Sequence, residues 1–249
     1  MMKSQTSTQD RLLGGRVAIA QPEDGYRVSI DAVFLAASVK PKAGARVLDV
    51  GCGDGGATLC LAWRAPQISV SALDLRPDAI ARFSASVELN GWSDRVRGYV
   101  HDVAHGTPAQ FGTDFDWVIS NPPYLPEDRM DHRGKGEALN PATTETVPLS
   151  QWIAFMAACI GDGGHFALVH RADRIEDVLV ALSPHAGDIK VLPLWPKSGA
   201  SAKRVIVIAR RGARGPSEIL SGLVLHEDDG SFTQAAQAIL IEGEALMTN

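Results

Sequence analysis

Short apolar runs alternate with helical patterns along most of the chain. Five runs rich in β-branched and aliphatic residues predict strands, at 46–50, 68–74, 96–100, 116–120 and 164–170. Apolar positions three and four residues apart predict helices, at 30–39, 77–90, 149–160 and 173–182. Two more predicted strands follow each other without a clear helix between them, at 189–194 and 204–209.

This alternation is typical of an α/β fold with helices on both faces of a mostly parallel sheet. We therefore predict a Rossmann-like α/β fold with a seven-stranded, mostly parallel sheet and an antiparallel edge strand formed by the last pair. We expect residues 1–10 to be disordered and residues 11–249 to form a single domain. Within it, residues 11–44 form a strand and helix extension ahead of the first core strand.

A glycine-rich loop follows the strand at 46–50. Its glycines Gly51, Gly53 and Gly56 match the GxGxxG pattern of a loop that approaches a nucleotide closely. Asp74 ends the next strand, where an acid that binds ribose hydroxyls is expected, and Leu75 follows it. The pattern alone does not separate a nicotinamide or flavin enzyme from a methyltransferase.

Two acids near the loop favour one of these ligands. Asp49 lies inside the strand and Asp54 inside the loop, with the small Cys52 between the first two glycines. Carboxylates are unsuited to a pyrophosphate, but they suit S-adenosylmethionine, which carries an ammonium and a sulfonium group and no phosphate. Asp102, after the third core strand, is a candidate acceptor for the adenine amino group of such a ligand; the alternative is an exposed loop carboxylate.

The segment Asn121-Pro122-Pro123-Tyr124 follows the strand at 116–120, at the edge where open α/β sheets bind ligands. The lone pair of an aromatic amine is delocalised into the ring, so two acceptors aimed at its hydrogens would help it to react. Asn121 offers a side-chain carbonyl and Pro122 a backbone carbonyl, and tandem prolines hold both in place. Tyr124 offers an aromatic face to a flipped base. The alternative is a simple turn.

Together these motifs, over residues 45–124, resemble class I methyltransferases that act on planar amino or amide nitrogens. The resemblance implies catalytic roles for residues 121–124 and a contact of Asn121 with the cofactor as well. It leaves several substrates open: adenine in RNA or DNA, guanine in ribosomal RNA, and a glutamine side chain of a translation factor.

The N-terminal segments 12–22 and 25–36 are similar to the bacterial family that methylates N6 of adenosine 37 in a valine tRNA. This resemblance implies that residues 11–44 line the cofactor pocket, through Tyr26, Arg27, Ser29 and Asp31. Asp31 is then a candidate partner for the cofactor ammonium; the alternative is an acid favoured by the helix dipole.

The net charge of -5 over 249 residues gives no overall attraction for nucleic acid, so an RNA contact requires local basic patches. No acid occurs between Asp188 and Glu218. The basic residues of this interval are Lys190, Lys197, Lys203, Arg204, Arg210, Arg211 and Arg214. A second cluster follows Tyr124 and contains Arg129, His132, Arg133 and Lys135. Both clusters have an alternative interpretation as solvated edge or loop residues.

The three cysteines lack the spacing of a zinc site or a disulfide framework, so we expect no metal. The N-terminus is polar, and the longest apolar run, 152–161, is too short to cross a bilayer. These features predict a cytoplasmic protein that does not bind membranes. The sequence leaves the oligomeric state open, and a monomer is slightly favoured.

The favoured hypothesis is methyl transfer from S-adenosylmethionine to N6 of an adenine in tRNA. The alternatives are a glutamine N5-methyltransferase acting on a translation factor, and a methyltransferase acting on amino groups of ribosomal RNA or DNA. A nicotinamide oxidoreductase leaves residues 121–124 without a role, and an RNA-binding module without activity leaves the intact glycine loop unexplained.

Overall fold

The structure is a computed structural model that describes residues 7–24, 27–108, 111–126 and 144–247. In chain order its strands and helices are β1 (Ser7–Leu12), β2 (Val17–Pro22), α1 (Ile30–Ser38), β3 (Arg46–Val50), α2 (Gly56–Arg64), β4 (Ser69–Asp74), α3 (Pro77–Leu89), β5 (Val96–Val100), β6 (Phe115–Ser120), β7 (Leu125–Pro126), β8 (Thr144–Glu145), α4 (Leu149–Cys159), β9 (Ile160–Arg171), α5 (Ile175–Leu182), β10 (Ala186–Trp195), β11 (Arg204–Arg211), β12 (Glu218–Ile219), β13 (Leu223–Val224) and α6 (Gln234–Leu240).

The central sheet has the strand order β12-β10-β11-β9-β6-β3-β4-β5, and β13 also pairs with β10. The strands from β9 to β5 pair in parallel, whereas β11 is antiparallel to both of its neighbours. Seven long strands and an α/β architecture confirm the predicted fold class. The antiparallel pair does lie at one end of the sheet, but β11 lies inside that end, because β10 takes the outer position together with two short strands.

Strand alternation divides the buried side chains between the two faces of the sheet. In β3, Val47 belongs to a core with α1, α2 and α3, whereas Leu48 and Val50 belong to a second core with α4 and α5. Asp49 therefore points to the same face as Val47, toward α2. A charged group in a strand with both faces covered is costly to bury, so the Asp49 carboxylate needs hydrogen-bonding or charged partners.

The β1–β2 hairpin packs on α3 outside the sheet. The backbone N–H of Ala20 donates to the Ser86 hydroxyl at 2.8 Å, and the Asn90 side chain bonds both the N–H and the carbonyl of Ala18. Since Ser7 to Asp10 pair with β2, the prediction that residues 1–10 are disordered is wrong for residues 7–10. Five polar residues followed by one leucine show no apolar alternation, so the sequence gave no signal for this strand.

The C-terminal segment, which sequence patterns left unassigned, packs on the first helix. α6 contacts α1, and the backbone N–H of Leu246 donates to the carbonyl of Ala37 at 2.9 Å. Gly243 lies against the ring of Trp63, at a position where a Cβ would come within 2.3 Å of that ring. No helix within the described ranges is long and apolar enough to cross a bilayer.

Candidate functional site

A cavity opens at the carboxyl ends of β3, β4 and β6, and it gathers most of the predicted site residues. The predicted residues that line it are Ser29, Asp49, Gly51, Cys52, Gly53, Asp54, Asp74, Leu75, Asp102, Asn121, Pro122, Pro123 and Tyr124. Arg27 and Asp31 are not among its lining residues. Tyr26 lies outside the described residues.

The glycine loop is fixed by the neighbouring strand. The N–H groups of Gly51 and Cys52 both donate to the carbonyl of Leu73, at 2.8 and 2.9 Å. Gly51 and Gly53 have φ values of 74° and 57°, which a side chain would strain. A Cβ on Gly51 would come within 2.8 Å of the Trp152 ring, whereas one on Gly53 would meet nothing closer than 3.7 Å. The bare backbone of Gly53 is therefore the part of the loop open to a ligand.

The third glycine of the motif serves packing. A Cβ on Gly56 would come within 2.4 Å of Val28, and one on the neighbouring Gly55 within 2.2 Å of Phe83. Helix α2 can therefore approach the segment that leads into α1 only because position 56 lacks a side chain. The sequence pattern correctly required glycine at this position. The group that approaches it closely is the Val28 side chain, however, and not a nucleotide.

Asp74 is held by the loop and by its own strand end. Its Oδ2 accepts from the N–H of Gly53 at 2.9 Å, and its Oδ1 accepts from the N–H and the Nε of Arg76, at 2.9 and 3.2 Å. The side chain is about nine-tenths buried and borders the cavity. These bonds leave lone pairs on a preoriented carboxylate, which is what binding a pair of ribose hydroxyls requires.

Asp49 is the most perturbed acid in the site. Its pKa is raised from 3.8 to about 7, chiefly by burial; a hydrogen bond from the Thr58 hydroxyl at 2.7 Å partly opposes the shift, and the nearby Asp74 charge adds to it. The side chain is 1% exposed and still borders the cavity. A buried carboxyl of this kind would be stabilised as an anion by a cationic ligand.

Asp54 carries less charge into the cavity than the sequence suggested, and Cys52 carries none. The Asp54 carboxylate forms an ion pair with Arg82 Nε at 2.8 Å, and Arg82 also binds Asp78 at 3.0 Å. Burial, followed by the charges of nearby acids, raises the pKa of the Cys52 thiol well above its usual value. The thiol therefore remains protonated at neutral pH and fills space between the glycines.

The far side of the cavity is built from Leu75, His101, Asp102 and Val103. Leu75 is about half exposed and gives this wall an apolar surface. Asp102 Oδ1 accepts from the N–H of Ala104 at 2.9 Å and so caps a short turn. Its other oxygen is 3.9 Å from His105 Nδ1. Asp102 thus has a structural role in addition to its place in the cavity wall.

The segment 121–124 leaves β6 beside a buried polar chain. The Ser120 hydroxyl donates to the carbonyl of Val50 at 2.7 Å and accepts from Trp152 Nε1 at 3.0 Å. Trp152 also lies against the bare face of Gly51. The indole therefore joins the start of the glycine loop to the strand that presents Asn121, and so links the two halves of the cavity.

Two of the predicted cofactor contacts have protein partners instead. Arg27 forms an ion pair with Asp10 of β1 and is largely exposed. Asp31 forms an ion pair with Arg204 Nε at 2.9 Å through its Oδ2. By contrast, Ser29 lines the cavity, and its buried hydroxyl oxygen has no hydrogen-bond partner among the described residues. Ser29 is therefore free to contact a ligand, whereas one oxygen of Asp31 already has a partner, and its contact with the cofactor stays a prediction.

Comparisons with known proteins agree with the fold. A sequence model of the methyltransferase small domain family matches residues 26–143. A predicted O-methyltransferase from Agrobacterium tumefaciens superposes with a TM-score of 0.73 over 87% of this chain and 98% of its own, at 24% identity. An S-adenosylmethionine-dependent O-methyltransferase from Thermotoga maritima superposes with a TM-score of 0.56 over 78% and 69%, at 18% identity. The fold is that of a class I methyltransferase.

Among curated sequences, a Yersinia pestis protein named tRNA1(Val) (adenine(37)-N6)-methyltransferase is 34% identical over 133 residues. That match covers 50% of this chain and 52% of the relative, so it spans about half the length of the relatives. A Yersinia pseudotuberculosis relative of the same name is 36% identical over 111 residues, 43% of this chain and 42% of its own.

In this methyltransferase fold the basic interval after Asp188 is divided between two opposite edges of the sheet. Arg204 pairs with Arg171 at the cavity edge, whereas Arg210 pairs with His165 six residues away. At about 3.3 Å per residue this separates them by roughly 20 Å. Lys197 and Lys203 share the cavity edge with Arg204, and Arg211 and Arg214 lie with Arg210 at the far edge.

Ion pairs and hydrogen bonds already engage much of this interval. Lys190 lies 3.8 Å from Glu218, Arg210 binds Asp188, and Lys197 donates to the carbonyl of Asp228. The interval is therefore divided between the two edges, and a local RNA-binding patch within it stays a prediction. The second predicted cluster, 129–135, lies outside the described residues.

Sequence reasoning missed several residues of the cavity wall. The main ones are Val28, Ala32, Arg76, His101, Val147 and Trp152. Trp152 was interpreted only as part of an apolar run. A tryptophan near the start of the helix after residues 121–124 carried a usable signal, because its N–H needs a buried partner.

Proposed function

We propose that this protein transfers a methyl group from S-adenosylmethionine to the exocyclic N6 of an adenine in tRNA. The observation that supports this most is that Asn121-Pro122-Pro123-Tyr124 borders the same cavity as Asp49 and Asp74. One cavity thus holds acceptors suited to a planar amine beside carboxylates suited to a cationic nucleoside.

The residues on the cofactor side fit this ligand. The Ser29 hydroxyl lacks a protein partner among the described residues, Asp49 has a pKa raised to about 7, and Gly53 leaves open backbone. Asp49 and Ser29 would bind the charged methionine end, Asp74 the ribose, and Leu75 with Asp102 the adenine. The bound cofactor supplies an activated methyl group, so the protein needs no strong base.

Asn121 and Pro122 would hold the substrate amine. Pro122 is buried and Asn121 partly exposed, at the end of a strand that is hydrogen-bonded on both sides. The Asn121 side-chain carbonyl and the Pro122 backbone carbonyl would each accept one amine hydrogen. Because the prolines restrict the backbone, these acceptors keep their positions while charge develops on the nitrogen. Tyr124 would stack on the base.

The relatives' name supports adenosine 37 of a valine tRNA as the target, and such a substrate implies a cytoplasmic protein. The RNA would approach over the cavity edge, where Lys197, Lys203, Arg204 and Arg171 lie. Residues 210–214 lie on the far edge and would not touch an RNA whose target base occupies the cavity.

The experiment uses bulk tRNA from a strain that lacks this gene, the purified protein and methyl-labelled S-adenosylmethionine. After nuclease digestion, label in N6-methyladenosine is the expected result. A preparation that binds the cofactor and leaves tRNA unlabelled would overturn the tRNA assignment, and ribosomal RNA, DNA and release factors would be tested next. Binding of a nicotinamide nucleotide without S-adenosylmethionine would overturn the methyltransferase assignment.

A further inference from the structure

Arg204 joins two parts of the molecule that are far apart in sequence. It is the first residue of β11, and its Nε lies 2.9 Å from Asp31 Oδ2 near the start of α1. Its guanidinium carbon also lies 5.1 Å from the centroid of the Tyr124 ring. The Asp31 side chain is 13% exposed and that of Arg204 29%, so solvent screens this pair only partly.

The geometry fits arginine and no other residue. A guanidinium is planar, so one face can stack on an aromatic ring while an edge donates to a carboxylate. A lysine ammonium in the same place could keep the ion pair but could not cover the ring. Asp31, in turn, prevents the guanidinium from swinging out to solvent.

Tyr124 is restrained at a second point. Arg174 Nη1 donates to its backbone carbonyl at 3.4 Å. Tyr124 borders the cavity, whereas Arg204 is not among the lining residues, so Arg204 supports the ring from outside. Ser29 and Ala32, on either side of Asp31, line the opposite, cofactor side of the cavity.

We propose that Arg204 is a positioning residue that fixes the Tyr124 ring for stacking on the substrate base, and that Asp31 holds Arg204 in place. This inference rests on the proposed function, because it assigns a base-stacking role to Tyr124. It also gives Asp31 a role in substrate alignment, where sequence resemblance had placed it on the cofactor.

The first test is a double-mutant cycle of Arg204→Ala with Tyr124→Ala in the tRNA methylation assay. Arg204→Ala should lower kcat about tenfold, because small misplacements of a reacting group are costly. Its affinity for S-adenosylmethionine should stay within about twofold of wild type. In the Tyr124→Ala background the same change should have almost no further effect. An equal loss of kcat in both backgrounds would overturn the proposal.

Arg204→Lys is the matched variant, since it keeps the charge and removes the planar stack. It should resemble Arg204→Ala in kcat while keeping the melting temperature of wild type. Full activity of Arg204→Lys would mean that only the ion pair matters, and the stacking role would be wrong. Arg210→Ala is the control, because it also removes an arginine from β11 but at the far edge of the sheet. It should leave kcat unchanged.

A readout independent of methylation separates this proposal from the proposed function. The chain has three tyrosines, so 3-fluorotyrosine labelling gives a simple ¹⁹F spectrum, in which Tyr124→Phe identifies one resonance. Arg204→Lys should shift or broaden the Tyr124 resonance and leave the other two unchanged. An unchanged resonance would overturn the proposal, whether or not the wild-type protein methylates tRNA.

Discussion

The two halves of the cavity are built in different ways. On the cofactor side, partners lie close in sequence: Asp74 binds Gly53 and Arg76, and Asp49 binds Thr58. On the substrate side they are distant, since Tyr124 depends on Arg174 and Arg204, and Arg204 depends on Asp31. The first half is therefore set by two consecutive βα units that are neighbours in the sheet, and the second only by the assembled sheet.

The largest expected effect on the methylation rate comes from Asn121→Ala, which tests whether the two halves have separate chemical roles. Asn121→Ala removes one amine acceptor, and we expect methylation to fall by about 100-fold or more, as for loss of a preorganised polar contact in other active sites. Cofactor affinity should be nearly unchanged, because residues of the other half hold that ligand. Rate assays and calorimetric titration with S-adenosylmethionine check both. Loss of both in a misfolded variant would be uninformative, whereas loss of both in a variant that melts like wild type would contradict the division between the halves.

A second, intermediate effect concerns the cofactor half alone. Since burial raises the pKa of Asp49 to about 7, the folded protein without ligand holds a proton there that the unfolded chain loses near pH 4. Stability should therefore fall as pH rises from about 4 to 7. A cationic ligand prefers the ionised form of Asp49. Its affinity should therefore rise as the pH passes through about 7, by about tenfold between pH 6 and 8.

Titrations of Asp49→Asn with the cofactor at several pH values provide the control for Asp49. This variant should bind more weakly, with a much flatter pH dependence, and any titration of the ligand itself appears equally in both proteins. Thr58→Val should move the midpoint upward, because the hydroxyl that stabilises the carboxylate is gone. An identical pH dependence in wild type and Asp49→Asn would contradict the assigned role.

The smallest expected effect is on tRNA affinity, and it tests which edge of the sheet belongs to the substrate half. Lys203 and Arg214 are both exposed cations, one at the cavity edge and one at the far edge. Lys203→Ala should weaken tRNA binding a few-fold and reduce the slope of log affinity against log salt by about 1. Arg214→Ala should leave both unchanged, as measured by filter binding over a salt series. Equal effects of the two substitutions would contradict approach over one edge.

The same contrast explains what could be predicted from sequence. The parallel βα units, the glycine loop and Asp74 follow from periodicity and local motifs, and the structure gathers them as expected. The partner of Asp31 could not be predicted, because it lies 173 residues away on β11. The division of the basic interval could not be predicted either. Cations that are close in sequence can lie at opposite edges of the sheet when a strand separates them.

The position of β11 has a consequence for how the chain assembles. β11 is the last long strand to be synthesised, yet it lies between β9 and β10, which precede it. β10 therefore cannot join the sheet before β11 is available to lie between it and β9. Until then the edge of β9 is open to other chains, so slow synthesis or truncation between residues 195 and 204 should favour aggregation.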